Sequence, residues 1–245
     1  MSPLASLWVA VGFLTRIPVG DPSRGGTREV TVGSAVPWFP VVGALIGAIQ
    51  GGVWWALAEQ SSPLVAAAVS TTVAVLVTGA FHHDGLADMA DAFGGGWDVD
   101  QRMEILKDSR LGTYGTSALI LALLLEVSAL STFEPRTGAL ALLAMHILGR
   151  ALSIMTMLLA PAAGDGLGAA YMSDLPRSAT VVVALIATVG AGVALGSQAW
   201  AIAPAVIAAA CVVTLAIRKI GGVVGDVLGA ISVVSGVTML VAASL

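Results

Sequence analysis

The chain has 245 residues, 11 Lys and Arg against 15 Asp and Glu, and a net charge of −4. Hydrophobic residues make up 57% and charged residues 11%, where a soluble domain of this size carries about a quarter charged residues. Too few charges remain to cover a soluble surface, so the composition points to an integral membrane protein. One cysteine, Cys211, excludes an internal disulfide and a cysteine-built metal site. No basic stripe is available for a phosphate backbone, which argues against nucleic acid as a partner. The 29 glycines suit a packed transmembrane bundle.

Residues 4–15 are apolar but number only about a dozen before Arg16 and Pro18. That is short of the roughly 20 a spanning helix needs, so an interfacial or re-entrant segment is expected there. Seven spans follow, near 34–57, 63–82, 113–131, 137–160, 178–196, 199–217 and 226–244. The alternation of a lipid-facing barrel is missing. The predicted fold is therefore an all-α polytopic transmembrane helix bundle, one integral membrane domain over 1–245.

The basic residues test this layout. With the connections numbered alternately, one side holds Arg16, Arg24, Arg28, Arg102, Lys107, Arg110, Arg177, Arg218 and Lys219. The other holds only Arg136, and Arg150 falls inside a span. The positive-inside rule makes the rich side cytoplasmic. Asp84, Asp88, Asp91, Asp98, Asp100, Glu104 and Asp108 lie on that same side, in a loop over about 81–115. Any chemistry is expected to face the cytoplasm.

Asp84, Asp88 and Asp91 stand at i, i+4 and i+7, within an arc of about 60° on a helix. Three carboxylates on one stripe repel each other, and a hard divalent cation with a phosphate substrate would relieve that. Glu104 and Asp108 form a second i, i+4 pair beside Lys107 and Arg110. Gly94, Gly95 and Gly96 would let the two pieces fold together. Against this, Asp84 could simply cap a helix, and Asp98 and Asp100 read as solvated loop acids. His82 and His83 read more naturally as interfacial hydrogen-bonders than as metal ligands. His146 and Arg150 are expected to be the only deep polar groups. Arg150 suits either a phosphate or a structural acid partner.

Gly164 to Gly168 has no preceding strand, so a nucleotide-loop reading fails. The run from Arg218 through Gly221 and Gly222 to Asp226 offers close backbone approach beside two bases. Its bland reading is an anchor loop with Asp226 as a helix cap.

These motifs together resemble the cobalamin synthase family, the adenosylcobinamide-GDP ribazoletransferases. The likeness runs nearly end to end: FLTRIPV (13–19), WFPVVGALIG (38–47), GAFHHDGLADMADAFGG (79–95), RMEILKDSRLGTYG (102–115), Gly149-Arg150, GLG (166–168) and GGVVGDVLGA (221–230). The chain departs from the family's usual pattern at His83, Gly149, Asp165, Val224, Ser232 and Ser235.

The resemblance implies a Mg²⁺-dependent membrane phosphotransferase. A hydroxyl of α-ribazole, or of its 5′-phosphate, attacks the phosphate on the cobinamide aminopropanol, and GMP leaves. Asp84, Asp88, Asp91 and Glu104 are the implied metal ligands, for either one ion or two. Asp91 or Asp108 is the implied base. Arg110, Arg150 and Lys107 would contact phosphate, and His83, Arg218, Gly221, Gly222 and Asp226 complete the substrate-binding set. The implied setting is the bacterial inner membrane, with the lipid bilayer and other cobamide-assembly enzymes as partners.

Two rivals stand beside this reading. A CDP-alcohol phosphotransferase requires Ala-Arg after Asp84-Gly85-Leu86-Ala87, where Asp88 stands here, and a later GxxxDxxxD that is missing. A cation transporter would place its acids at the midplane.

Overall fold

The computed structural model describes residues 3–20, 32–164 and 171–245. The expectations for Arg24, Arg28, Asp165 and Gly166 to Gly168 lie outside these residues. Ten α-helices are described here. The first six are α1 (Pro3–Leu14), α2 (Phe39–Ala58), α3 (Pro63–Thr78), α4 (Phe81–Gly95), α5 (Val99–Ile105) and α6 (Thr113–Leu130). They are followed by α7 (Pro135–Leu159), α8 (Arg177–Leu195), α9 (Ile202–Ile220) and α10 (Gly225–Ala243). Among the described residues the only extended pairing is one isolated bridge, Ala162 to Val223.

Every predicted span coincides with a helix, although length and composition alone pick out five or six apolar helical stretches where the sequence suggests seven spans. Five helical stretches are long and apolar enough to cross a membrane, or six if α3 and α4 form one broken span. The discrepancy has two sources. Helix α3 has only 16 residues. Helices α8 and α9 lie in one 44-residue helical stretch, interrupted at Gly196 (φ +56°, ψ −119°). At 1.5 Å per residue, a straight helix of that length would reach about 66 Å, twice the hydrocarbon thickness.

Local chemistry sets several helix starts. Pro63 and Pro135 occupy first-turn positions, where a missing N–H costs nothing. Ser62 caps α3 by accepting the N–H of Val65. Helices α7 and α10 form the buried centre of the bundle. Ile186, Val189 and Val193 on α8 stay exposed, as a lipid-facing surface requires.

Lipid offers no hydrophobic drive between helices, so close approach of backbones matters. Helix α2 carries Gly43, Gly47 and Gly51, each one turn apart. A Cβ on Gly47 would lie 2.7 Å from Leu143 Cα, and one on Gly51 would lie 2.9 Å from Ala139 O. This stripe seats α2 directly on α7. It also brings Gln50 of α2 against His146 of α7.

Helix α3 ends in two left-handed residues, Gly79 (φ +61°) and Ala80 (φ +60°). Their N–H groups close on Leu76 O and Val75 O. The chain turns 88° there into α4. The expected loop at 81–115 is therefore two helices, α4 and α5. Helix α4 meets α6 and α10 at their first turns, at one end of the bundle. Helix α1 is too short to cross a membrane. It tucks Ala10, Val11 and Leu14 into the core near that same end.

Candidate active site

A chamber of about 690 Å³ opens where α1, α2, α4, α5, α7 and α10 converge. One wall is aromatic: Phe13 packs against Phe39, Phe81 and Tyr171 with ring centroids 4.9–5.8 Å apart. The lining also carries four ionic side chains, Asp84, Lys107, Arg150 and Asp226.

The acids meet because α4 and α10 cross at a glycine. A Cβ on Gly85 would lie 2.8 Å from Asp226 O and 2.9 Å from Asp226 Cα. Neither Asp84 nor Asp226 is a helix cap: the caps are Ala80 and Val224. Both side chains line the chamber instead. Asp88, one turn beyond Asp84, is not part of the lining. Burial, followed by the charges of Asp84, Asp226 and Asp91, pushes its carboxyl up to about 6. These acids therefore form one electrostatic cluster.

Asp91 is engaged differently. Its two oxygens accept the backbone N–H groups of Gly112 (2.7 Å) and Gly115 (2.9 Å). It thus caps α6 from a neighbouring helix, where the end of the helix favours a negative charge.

Deeper in the bundle, five buried polar side chains bond in series. Arg150 Nη1 lies 2.8 Å from His146 Nδ1, and His146 Nε2 lies 2.6 Å from Gln50 Oε1. Gln50 Nε2 donates to Glu126 Oε1 at 2.8 Å, and the Thr71 hydroxyl donates to the same oxygen at 3.0 Å. Glu126 is 4% exposed, so His146 and Arg150 are not the only deep polar groups. Arg150 Nε, His82 Nδ1 and both His83 ring nitrogens are buried without a partner.

The comparisons with known proteins agree with one another. The family model for cobalamin-5-phosphate synthase matches residues 6–244. The chain belongs to the cobalamin-5-phosphate synthase family. It is similar to three proteins, each named an adenosylcobinamide-GDP ribazoletransferase. The one from Ralstonia pickettii is 43% identical over 62% of this chain and 60% of its own length. The one from Shewanella pealeana is 36% identical over 91% and 88%. The one from Rhizobium meliloti is 38% identical over 100% and 99%. No solved structure matches the chain.

The cobalamin-5-phosphate synthase motifs divide according to where the structure places them. Asp84, Lys107, Arg150 and Asp226 come together on the chamber, with Asp88 coupled behind them. His83 lies beneath the chamber, around a small cavity of about 30 Å³ shared with His82, Glu126, His146 and Arg150.

Other motif residues are used elsewhere. Asp108 and Arg110 form a surface ion pair at 2.5 Å, with Arg110 88% exposed. The hydrogen bonds from Arg110 hold the Asp108 carboxyl below its usual range. Glu104 is exposed on α5 and is absent from the chamber wall. Asp98 is not a free solvated acid, since it caps α5 by accepting the N–H of Gln101.

Gly221 is the left-handed end of α9 (φ +78°). Gly222 lies where a Cβ would come 2.5 Å from Pro161 O. Both serve the backbone. Arg218 is exposed and does not reach the chamber. At Gly149 a Cβ would lie 2.8 Å from Ser232 O, which gives a physical reason for glycine at this position.

Sequence reasoning missed Gln50, Thr71 and Glu126. Only Glu126 left a signal: an acid within a span, which the deep Arg150 needs as a counter-charge.

Proposed function

We propose that the protein is an adenosylcobinamide-GDP ribazoletransferase, acting in the bacterial inner membrane with its chamber facing the cytoplasm. The observation that carries this reading is the chamber itself. Paired carboxylates and two cationic side chains share it with an aromatic wall at one end of a membrane bundle. The orientation is supported by charge. Arg16, Arg102, Lys107, Arg110, Arg177, Arg218 and Lys219 all belong to the end with α4, whereas Arg136 stands at the start of α7, at the other end.

The reaction exchanges one phosphorus–oxygen bond for another. A ribose hydroxyl oxygen of α-ribazole, or of its 5′-phosphate, bonds to the phosphorus attached to the aminopropanol oxygen. The bridging bond of the pyrophosphate breaks, and GMP leaves with the bridging oxygen. The hydroxyl proton passes to a carboxylate. Such reactions depend on positioning and charge neutralisation.

Arg150 and Lys107 would bind the phosphate oxygens, the arginine through guanidinium donors that His146 leaves free. The aromatic wall would take the planar bases. The corrin ring would sit at the mouth of the chamber.

Among the described residues, no three metal-ligating groups converge tightly enough to hold a cation alone. This donor set still fits Mg²⁺, which typically takes one or two carboxylates and completes its shell with substrate phosphates. Asp84 and Asp88 would hold it. A bound Mg²⁺ would neutralise charge developing on the leaving GMP. Asp226, across the helix crossing, is then the carboxylate available to accept the proton. It replaces Asp91 and Asp108 in that role, since Asp91 caps α6 and Asp108 is paired with Arg110.

The test uses purified protein in lipid vesicles, given adenosylcobinamide-GDP, α-ribazole and Mg²⁺. Cobamide formation with stoichiometric GMP, stopped by EDTA, is expected. Folded protein that forms neither product would refute the reading.

A further inference from the structure

Arg150 is fixed by a chain whose direction is set by hydrogen-bond chemistry. A guanidinium can only donate, so His146 Nδ1 must accept. The proton of the neutral ring then sits on Nε2, which donates to Gln50 Oε1. That leaves the Gln50 amide nitrogen to donate to Glu126. The series joins α7, α2 and α6, and every member is buried. Thr71 of α3 supplies a second donor to the carboxylate.

A structural ion pair would place Glu126 directly on Arg150 and occupy several of its donors. Here the carboxylate acts from two side chains away. Only His146 contacts Arg150 in the series, taking a single N–H on Nη1, and Arg150, whose buried Nε has no partner, still lines the chamber. The arrangement supplies a counter-charge without blocking the face that a ligand needs. Resting on the reading of Arg150 as a phosphate ligand, we propose that Glu126 is a positioning residue for pyrophosphate binding, acting on Arg150 through Gln50 and neutral His146.

Glu126→Gln keeps the shape and removes the charge. The expected result is a rise of about tenfold in KM for adenosylcobinamide-GDP. KM for α-ribazole and kcat per folded molecule should change little. In an Arg150→Lys background the same substitution should add nothing further, because the residue through which it acts is already altered. Effects that multiply in the double variant, or an equal rise in both KM values, would overturn the proposal.

A second pair of variants asks the same question if Glu126→Gln does not fold. His146→Gln keeps an acceptor for Arg150 and a donor for Gln50, whereas His146→Leu keeps neither. The glutamine variant should hold KM for adenosylcobinamide-GDP near the wild-type value, and the leucine variant should raise it. Equal behaviour of the two would sink the relay. An unchanged KM in Arg150→Lys alone would instead refute the phosphate role of Arg150.

Discussion

The main chain of Asp226 rests on the bare Cα of Gly85, with no room for a methyl group between them. This contact brings an acid of α10 beside the acids of α4, which are about 140 residues earlier in the chain. Gly85→Ala would place Cβ 2.8 Å from a backbone carbonyl, and backbone on both sides resists movement. Overpacking of this kind costs about 1–3 kcal/mol. The variant should insert into membranes, unfold at a lower temperature and lose most of its turnover. Wild-type turnover would show that the crossing does not assemble the site.

Asp91 and Asp88 lie on one helical stripe yet should fail in different ways. Asp91→Asn presents an amide nitrogen to one of two N–H groups that require an acceptor. It should destabilise the fold by about 1–2 kcal/mol and leave the Mg²⁺ concentration for half-maximal rate unchanged. Asp88→Asn should keep or raise the thermal midpoint at neutral pH and lose activity. Thermal unfolding in detergent, paired with Mg²⁺ titrations, separates the two, and identical behaviour would contradict this division.

The contrast also shows what was legible in the sequence. Helix positions were readable because apolar runs of spanning length have few alternatives. The boundary at Gly196 was also legible, since the predicted spans part there, whereas the bend at Gly79-Ala80 turns the chain into α4 without any change in composition. Spacing placed Asp84, Asp88 and Asp91 on one face, but it could not tell which acid would find backbone N–H groups from another helix. Asp226 read equally well as a cap. Only the tertiary crossing at Gly85 makes it part of the chamber. Gln50 carries no charge and left no signal, since its role depends on the glycine stripe that seats α2 on α7.

Asp88 gives the site a pH dependence. Its carboxyl is raised to about 6 in the metal-free protein, and a metal ligand must be deprotonated. The Mg²⁺ concentration for half-maximal rate should rise as pH falls through about 6 and be flat above 7. The sign for stability is opposite. The folded state holds its proton over a range where the unfolded chain has lost it, so metal-free protein should lose stability as pH rises from about 4 to 6. In Asp88→Asn that slope should flatten. An unchanged slope would place the titrating group elsewhere.

The turn into α4 contains a left-handed alanine. Non-glycine residues adopt that conformation at a cost of about 1–2 kcal/mol, so Ala80→Gly should be neutral or slightly stabilising. Gly79→Ala should be destabilising, because it adds the same strain and drives a methyl group into the Arg16 side chain. Thermal midpoints of the two variants give the ordering, and a more stable Gly79→Ala would contradict it.

The most direct test of the central claim compares metal-dependent GMP release by wild type and Asp84→Asn, reconstituted in the same vesicles from adenosylcobinamide-GDP, α-ribazole and Mg²⁺. The account predicts EDTA-sensitive release by the wild type and a loss of at least about a hundredfold in the folded variant. Equal release by the two proteins would contradict it, because the chamber's carboxylates would then have no part in breaking the pyrophosphate.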